Sequence, residues 1–282
     1  MDIASAEEVA HLLRESGARI GADTAKPWRD TRDQVLERAL EIQNRLRKIR
    51  ARVLFRDDPL FPKQLLDLRD PPHWLFVQGE AETLATPSVA VVGTREPTSD
   101  GVWLARNVGY HLRDWQVPTV SGLAVGIDQE IHMASLRAKV PTIAFLGTGI
   151  FSDYPKNSES LRAKIVQDGG AIVTEYLPNE SYSAKNFVKR NRLQAALANS
   201  LIPVEWSIRS GTAHTVKFAV SLGRDVAFVR VPYGSGIDWL GADVARGKPL
   251  FSLPQQEVEF SSFVTRSLQK ATMRADRQLS LF

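Results

Sequence analysis

From Ser88 onward the chain alternates short β-branched runs with stretches of helical pattern, and few folds can accommodate that alternation. The runs are Ser88–Val92, Pro118–Ser121, Thr142–Leu146, Ala171–Thr174, Leu201–Glu205 and Asp225–Arg230. Each is apolar with little interruption, as strands covered on both faces must be, and the segments between them are long enough to return over the sheet as helices. The pattern predicts an α/β fold, a parallel sheet flanked by helices.

Ligands of an open parallel sheet bind beyond the carboxyl ends of its strands, so the residues after each run come first. They read Gly93-Thr94-Arg95, Ser121-Gly122-Leu123-Ala124-Val125-Gly126, Gly147-Thr148-Gly149 and, after the fifth run, Ser210-Gly211-Thr212. Glycine lets backbone N–H groups approach a ligand, and hydroxyls and helix N-termini donate to anionic oxygens. Such turns also need glycine for purely local reasons, but four of them on one edge point to phosphate. Dinucleotide binding fits poorly. The first turn lacks the G-x-G-x-x-G spacing, the second run ends in Ser121 where an acid for the ribose is expected, and no G-x-x-x-x-G-K-[ST] occurs. Arg95 stands in the first turn instead, a fixed cation suited to the phosphates of a nucleic-acid backbone.

Between the fourth and fifth runs, Lys185-Asn186-Phe187-Val188-Lys189-Arg190-Asn191-Arg192 sets four cations around one aromatic. That combination suits a single strand, whose bases stack on a ring while its phosphates meet Lys and Arg. Phe187 in the core is the competing reading. Asp128 and His132 lie four apart on one helix face, with Ser121 upstream. A serine nucleophile with a histidine base can be drawn from them, but there is no G-x-S-x-G elbow. The preferred reading has Asp128 bracing the glycine loop, His132 bonding to that loop and Glu175 bracing the same edge. His73 and His214 show no metal-ligand spacing, and neither metal nor cofactor is expected.

Composition narrows the setting. No cysteine is present, which removes disulfides and thiolate chemistry and suits a reducing compartment, so a cytoplasmic location is expected. No membrane partner is expected, since no run of apolar residues is long enough to span a bilayer. A formal net charge of +4 leans toward anionic partners without specifying one. Ahead of the sheet, Ser5 and Glu8 form a capping box for a short helix, and residues 32–52, rich in Glu, Arg and Leu, predict an exposed connecting helix. Three regions follow: an N-terminal helical segment (1–54), the α/β domain (55–255), and a polar tail with a short helix (256–282).

The blocks VAVVGTR, SGLAVGID with His132, TIAFLGTGI with Tyr154-Pro155, FVKRNR, and SGTAHT with Gly223-Arg224 resemble, in order and spacing, those of the DNA-processing protein A (DprA/Smf) family. The likeness runs from about Phe55 to Phe251. It implies an extended Rossmann-like fold and a non-enzymatic protein of DNA recombination, repair or transformation. Such a protein binds and protects single-stranded DNA, loads the RecA recombinase and forms a homodimer. It places DNA contacts at Gly93 and Arg95 and within the segment Lys185 to Arg192; joined to the strand-end turns read above, the candidate DNA-binding residues are Gly93, Thr94, Arg95, Ser121, Gly122, Lys185, Phe187, Lys189, Arg190, Asn191, Arg192, Ser210, Gly211 and Thr212. Arg95 and several of the four cations are expected to rim one groove. The alternative is a Rossmann-like sensor of a small phosphorylated nucleotide. A phosphoribohydrolase of similar fold fits less well, because its P-G-G-x-G-T-x-x-E signature is missing. Finally, Gln278, Leu279, Ser280, Leu281 and Phe282 resemble the peptide by which bacterial repair and replication proteins bind the sliding clamp. Laid out as an extended strand, the peptide would set its register through the Gln278 amide and fill an apolar pocket with Leu281 and Phe282.

Overall fold

The computed structural model describes residues 28–233 and 245–279. The capping box at Ser5 and Glu8 lies outside them. The described chain begins with helix α1 (Trp28–Lys48) and two strands, β1 (Ala51–Phe55) and β2 (Trp74–Gly79). Next come β3 (Val89–Gly93), α2 (Ser99–Trp115), β4 (Thr119–Ser121), α3 (Ile127–Ala138), β5 (Thr142–Phe145), α4 (Glu159–Gln167) and β6 (Ala171–Thr174). The remainder is α5 (Ala184–Leu197), β7 (Ser200–Val204), α6 (Gly211–Ser221), β8 (Asp225–Val226), β9 (Phe228–Arg230), β10 (Leu250–Ser252) and α7 (Glu257–Leu279).

Eight strands form one sheet in the order β1-β2-β6-β5-β4-β3-β7-β8. From β6 to β8 every pairing is parallel, as the alternation requires. Residues along a strand point alternately to the two faces, and β3 shows the result. Ala90 and Val92 join the core that includes residues of α5 and α6, and Val89 and Val91 join the core that includes residues of α2, α3 and α7. Successive strands step from β3 through β4 and β5 to β6, and the chain then returns to place β7 on the other side of β3. Helices diverge at such a reversal and leave a crevice at the strand ends, here above Gly93 and Val204.

Four features depart from expectation. β1 and β2 extend the sheet antiparallel beside β6, so the segment read as helical contributes a strand. The sixth run divides, because at Ala227 the chain leaves β7 and β9 pairs with β10, a partner some twenty residues away that no local pattern announces. Past Phe251, where a short helix was expected, α7 runs for 23 residues. Its Phe260, Val264 and Leu268 recur every fourth position and are buried against Trp115 and Phe251, so its first half belongs to the core. Helix α1 is less exposed than its composition suggests, since Val35, Ala39, Ile42 and Leu46 form a buried stripe against β1 and Phe76.

Candidate nucleic-acid interface

Arg95 projects from the turn after β3 and is exposed, and its guanidinium carbon lies 5.2 Å from the centre of the Phe187 ring. That is cation–π distance. Phe187 is half-buried in the first turn of α5, a helix started by Ser183, whose hydroxyl accepts from Asn186 N at 3.1 Å. The Phe187 ring centre lies 5.0 Å from that of Tyr154, which stacks in turn on Tyr182 at 4.8 Å. The result is a row of three rings with a cation at one end. Tyr182 is 61% exposed, so the row opens to solvent. The two tyrosines come from irregular loops, where neither spacing nor periodicity marks them in the sequence. Lys185 and Lys189 are exposed on the same helix, Lys189 within 3.5 Å of Asp70. Arg95 and the α5 cluster therefore share one surface.

Not every expected cation reaches that surface. Arg190 is 3% exposed and donates to the Phe145 carbonyl. Burial draws its pKa down to about 10 against the opposing charge of Asp128. Asp128 is also buried, which raises its carboxyl pKa despite Arg190, and it accepts from Gly122 N at 3.1 Å. Gly122 has no room for a side chain, because a Cβ there would collide with the Arg190 guanidinium and the Asp128 carboxylate. Asp128 thus braces the glycine loop as expected, with Arg190 as its partner. Arg192 is 5% exposed and makes a bidentate pair with Glu175 at 2.6 and 2.7 Å. Arg190 and Arg192 thus leave the expected rim to Arg95, Lys185 and Lys189. They are withdrawn because α5 packs on the sheet, and only one of its faces meets solvent.

The other candidates divide in the same way. Ser121 is fully buried and donates to the Val91 carbonyl at 2.7 Å, so it is no nucleophile. His132 Nδ1 lies 2.7 Å from the Thr142 hydroxyl and not against the glycine loop, a correction that follows from the helix pointing it inward. Thr212 donates to the Gly93 carbonyl at 2.9 Å, tying α6 to the end of β3. Asn191 donates to the Gly211 carbonyl at 3.0 Å, tying α5 to α6. Ser210 caps α6 while Gly211 is exposed, and Gly93 and Thr94 are half-exposed at the crevice. Glu205 went unread in the sequence. Its carboxylate accepts from Thr98 N at 2.9 and 3.2 Å, so the N-terminus of α2, where doubly wound folds receive a nucleotide phosphate, already holds the chain's own anion. Among the described residues no cluster of three or more His, Asp or Glu could hold a metal.

The family model of DNA recombination-mediator protein A matches residues 52–240. The chain belongs to this family. Protein Smf of Escherichia coli K12 is 34% identical over 211 residues, covering 73% of this chain and 56% of that protein. DNA processing protein DprA of Streptococcus pneumoniae is 38% identical over 169 residues, 60% of this chain and 59% of its own. The chain thus spans little more than half the length of these two relatives. The X-ray structure of DNA processing protein A from S. pneumoniae superposes with a TM-score of 0.66 at 31% identity, covering 89% of this chain and 86% of the other. DNA processing protein A from Helicobacter pylori, whose structure describes a single-stranded DNA binding mode, superposes at 0.59 with 26% identity, covering 66% and 83%. Tyr154, Tyr182 and Phe187 all fall within the residues that the family model matches. No described helix of this family member is long and apolar enough to cross a membrane.

Proposed function

We propose that the chain binds single-stranded DNA along the strand-end surface, without chemical turnover, and acts in the cytoplasm as a recombination mediator. One observation carries the reading: the Arg95 guanidinium over Phe187, at the end of a solvent-open row of rings. Rings hold unpaired bases by stacking, while Arg95, Lys185 and Lys189 meet phosphates, and a paired duplex offers no free base faces. The Glu205 carboxylate at α2 disfavours the alternative of a small phosphorylated signal at the crevice.

On this reading the bound strand is protected and presented to the RecA recombinase, the protein self-associates through its Rossmann-like domain, and the peptide Gln278–Phe282 recruits the sliding clamp. Gln278 and Leu279 close α7, whereas Ser280, Leu281 and Phe282 lie outside the described residues. The test is a titration of fluorescent single strand at several salt concentrations, with duplex and a nucleotide panel as competitors. Single-strand affinity that falls steeply with salt and resists both competitors is the expected result. Displacement by a mononucleotide at comparable concentration would overturn it.

A further inference from the structure

A second cationic surface lies at the end of α1. Residues 45–52 read Arg-Leu-Arg-Lys-Ile-Arg-Ala-Arg, five cations without a carboxylate. Cations in the last turn of a helix offset its dipole, which accounts for Arg45, Arg47 and Lys48. It does not account for Arg50 and Arg52, which follow the helix. Arg52 lies 3.7 Å from Glu82, whereas Arg47, Lys48 and Arg50 are exposed. Beside this turn is a cavity of about 380 Å³ lined by Arg45, Lys48, Phe151 and Arg162, with Asp153 and Glu159 also in its wall.

The patch is continuous with the aromatic row. Arg45 lies over the Phe151 ring, 3.9 Å from its centre, and donates to Asn179 at 2.7 Å. Phe151 N donates to the Pro178 carbonyl at 3.0 Å. Phe151 precedes Tyr154 by three residues and Asn179 precedes Tyr182 by three, a span of at most about 11 Å each. Tyr154 and Tyr182 are the stacked pair that ends the row. The same two loops therefore carry both surfaces.

From this we infer that the cationic turn at the end of α1 and its cavity form a second subsite for single-stranded DNA, reached by a strand leaving the Tyr182 end of the row. The inference rests on the single-strand reading above. Phosphates meet Arg47, Lys48 and Arg50 at the rim, and a base stacks on the outer face of the Arg45 guanidinium. The cavity itself suits a base and not a phosphate. Asp153 and Glu159 repel phosphate and accept from exocyclic amino groups, although Asp153 already receives Asn157 N and the amide and hydroxyl of Ser158.

The test is a length series of fluorescent single strands of mixed sequence, about 4 to 16 nucleotides, against wild type and the triple variant Arg47→Gln, Lys48→Gln, Arg50→Gln. The shortest strands should bind both proteins equally. The longest should bind wild type about tenfold tighter than the variant, whose log–log salt slope should be shallower by about 2. The inference is overturned if the variant keeps wild-type affinity and slope for the longest strands, or loses affinity equally at every length. Oligoglutamate binding that the variant loses while long-strand affinity survives would overturn it too, assigning the patch to an acidic protein. Failure of the parent reading looks different: the shortest strands would then bind wild type and Phe187→Ala alike.

Discussion

Phe187 is half-buried, with a guanidinium over its ring and Tyr154 in tilted contact beside it, so its removal takes away a stacking platform and little core volume. Phe187→Ala should cost about 1–3 kcal/mol of single-strand affinity while the urea midpoint stays close to wild type. The opposite pair of results would make it a core residue. Arg95→Ala should weaken binding and reduce the salt slope by about 0.7, one phosphate contact on a single strand; an unchanged slope would remove Arg95 from the interface. His132 behaves differently because it is fully buried. Burial, and then the nearby Arg190 charge, hold its pKa at about 3, against 6.5 for an unhindered imidazole. The unfolded chain takes up a proton that the folded one refuses. Stability is therefore whole above pH 6.5 and declines toward pH 3, by about 1.4 kcal/mol per unit from this group alone. Urea midpoints for wild type and His132→Gln should converge as pH falls from 7 to 5; parallel profiles would mean that His132 is protonated in the fold. His111, whose pKa burial also lowers, adds to the slope in both proteins.

At the scale of elements, the interface depends on how α5 is seated. Arg190 reaches under the helix to the β5 carbonyl and to Asp128, Arg192 reaches Glu175, and Asn191 reaches the start of α6. Three consecutive polar residues thereby fix the pose of a helix whose first turn carries Phe187. Such buried pairs add little net stability against an apolar alternative, but they define one geometry. The turn after β5 sets the same ring from below, because a Cβ on Gly147 would overlap Phe187. Gly147→Ala should therefore displace the ring and weaken single-strand binding severalfold, with thermal stability reduced by less than the binding loss implies. Wild-type affinity in this variant would show that the ring position is not what binding depends on.

The whole molecule adds a partner question that the sheet does not answer. α7 is anchored by Phe260, Val264 and Leu268 and continues to Leu279, with Met273 67% exposed past the last anchored turn. Helical geometry at Gln278 and Leu279 differs from the extended peptide expected for clamp binding, so docking in that form would require the last turn of α7 to unwind. Deleting the last five residues should abolish clamp binding in calorimetry with purified proteins, and replacing Leu281 and Phe282 by alanine should cost at least about 2 kcal/mol. Clamp binding that survives both changes would refute the assignment and leave DNA binding untouched.

The parallel sheet was legible because its evidence is local: six apolar runs, four of them followed by glycine and hydroxyl residues, carry their own burial pattern. The cation cluster and Arg95 were legible as chemistry for the same reason. Which cations reach solvent was not, since Arg190 and Arg192 differ from Lys185 and Lys189 only in the face of α5 that packs on the sheet. β1 and β2 were missed because two edge strands far apart in the chain, one of them with Arg52 in it, have no pattern until β6 is beside them. The length of α7 was hidden by a polar outer face, and its inner face acquires meaning only against Trp115 and Phe251. The ring row shows the division best. Tyr154, Tyr182 and Phe187 belong to separate segments, and only the parallel order of β5 and β6, with α5 following β6, brings them into contact. Composition and spacing report what a residue can do with its chain neighbours, whereas a binding surface is made by residues that the crossover connections bring together.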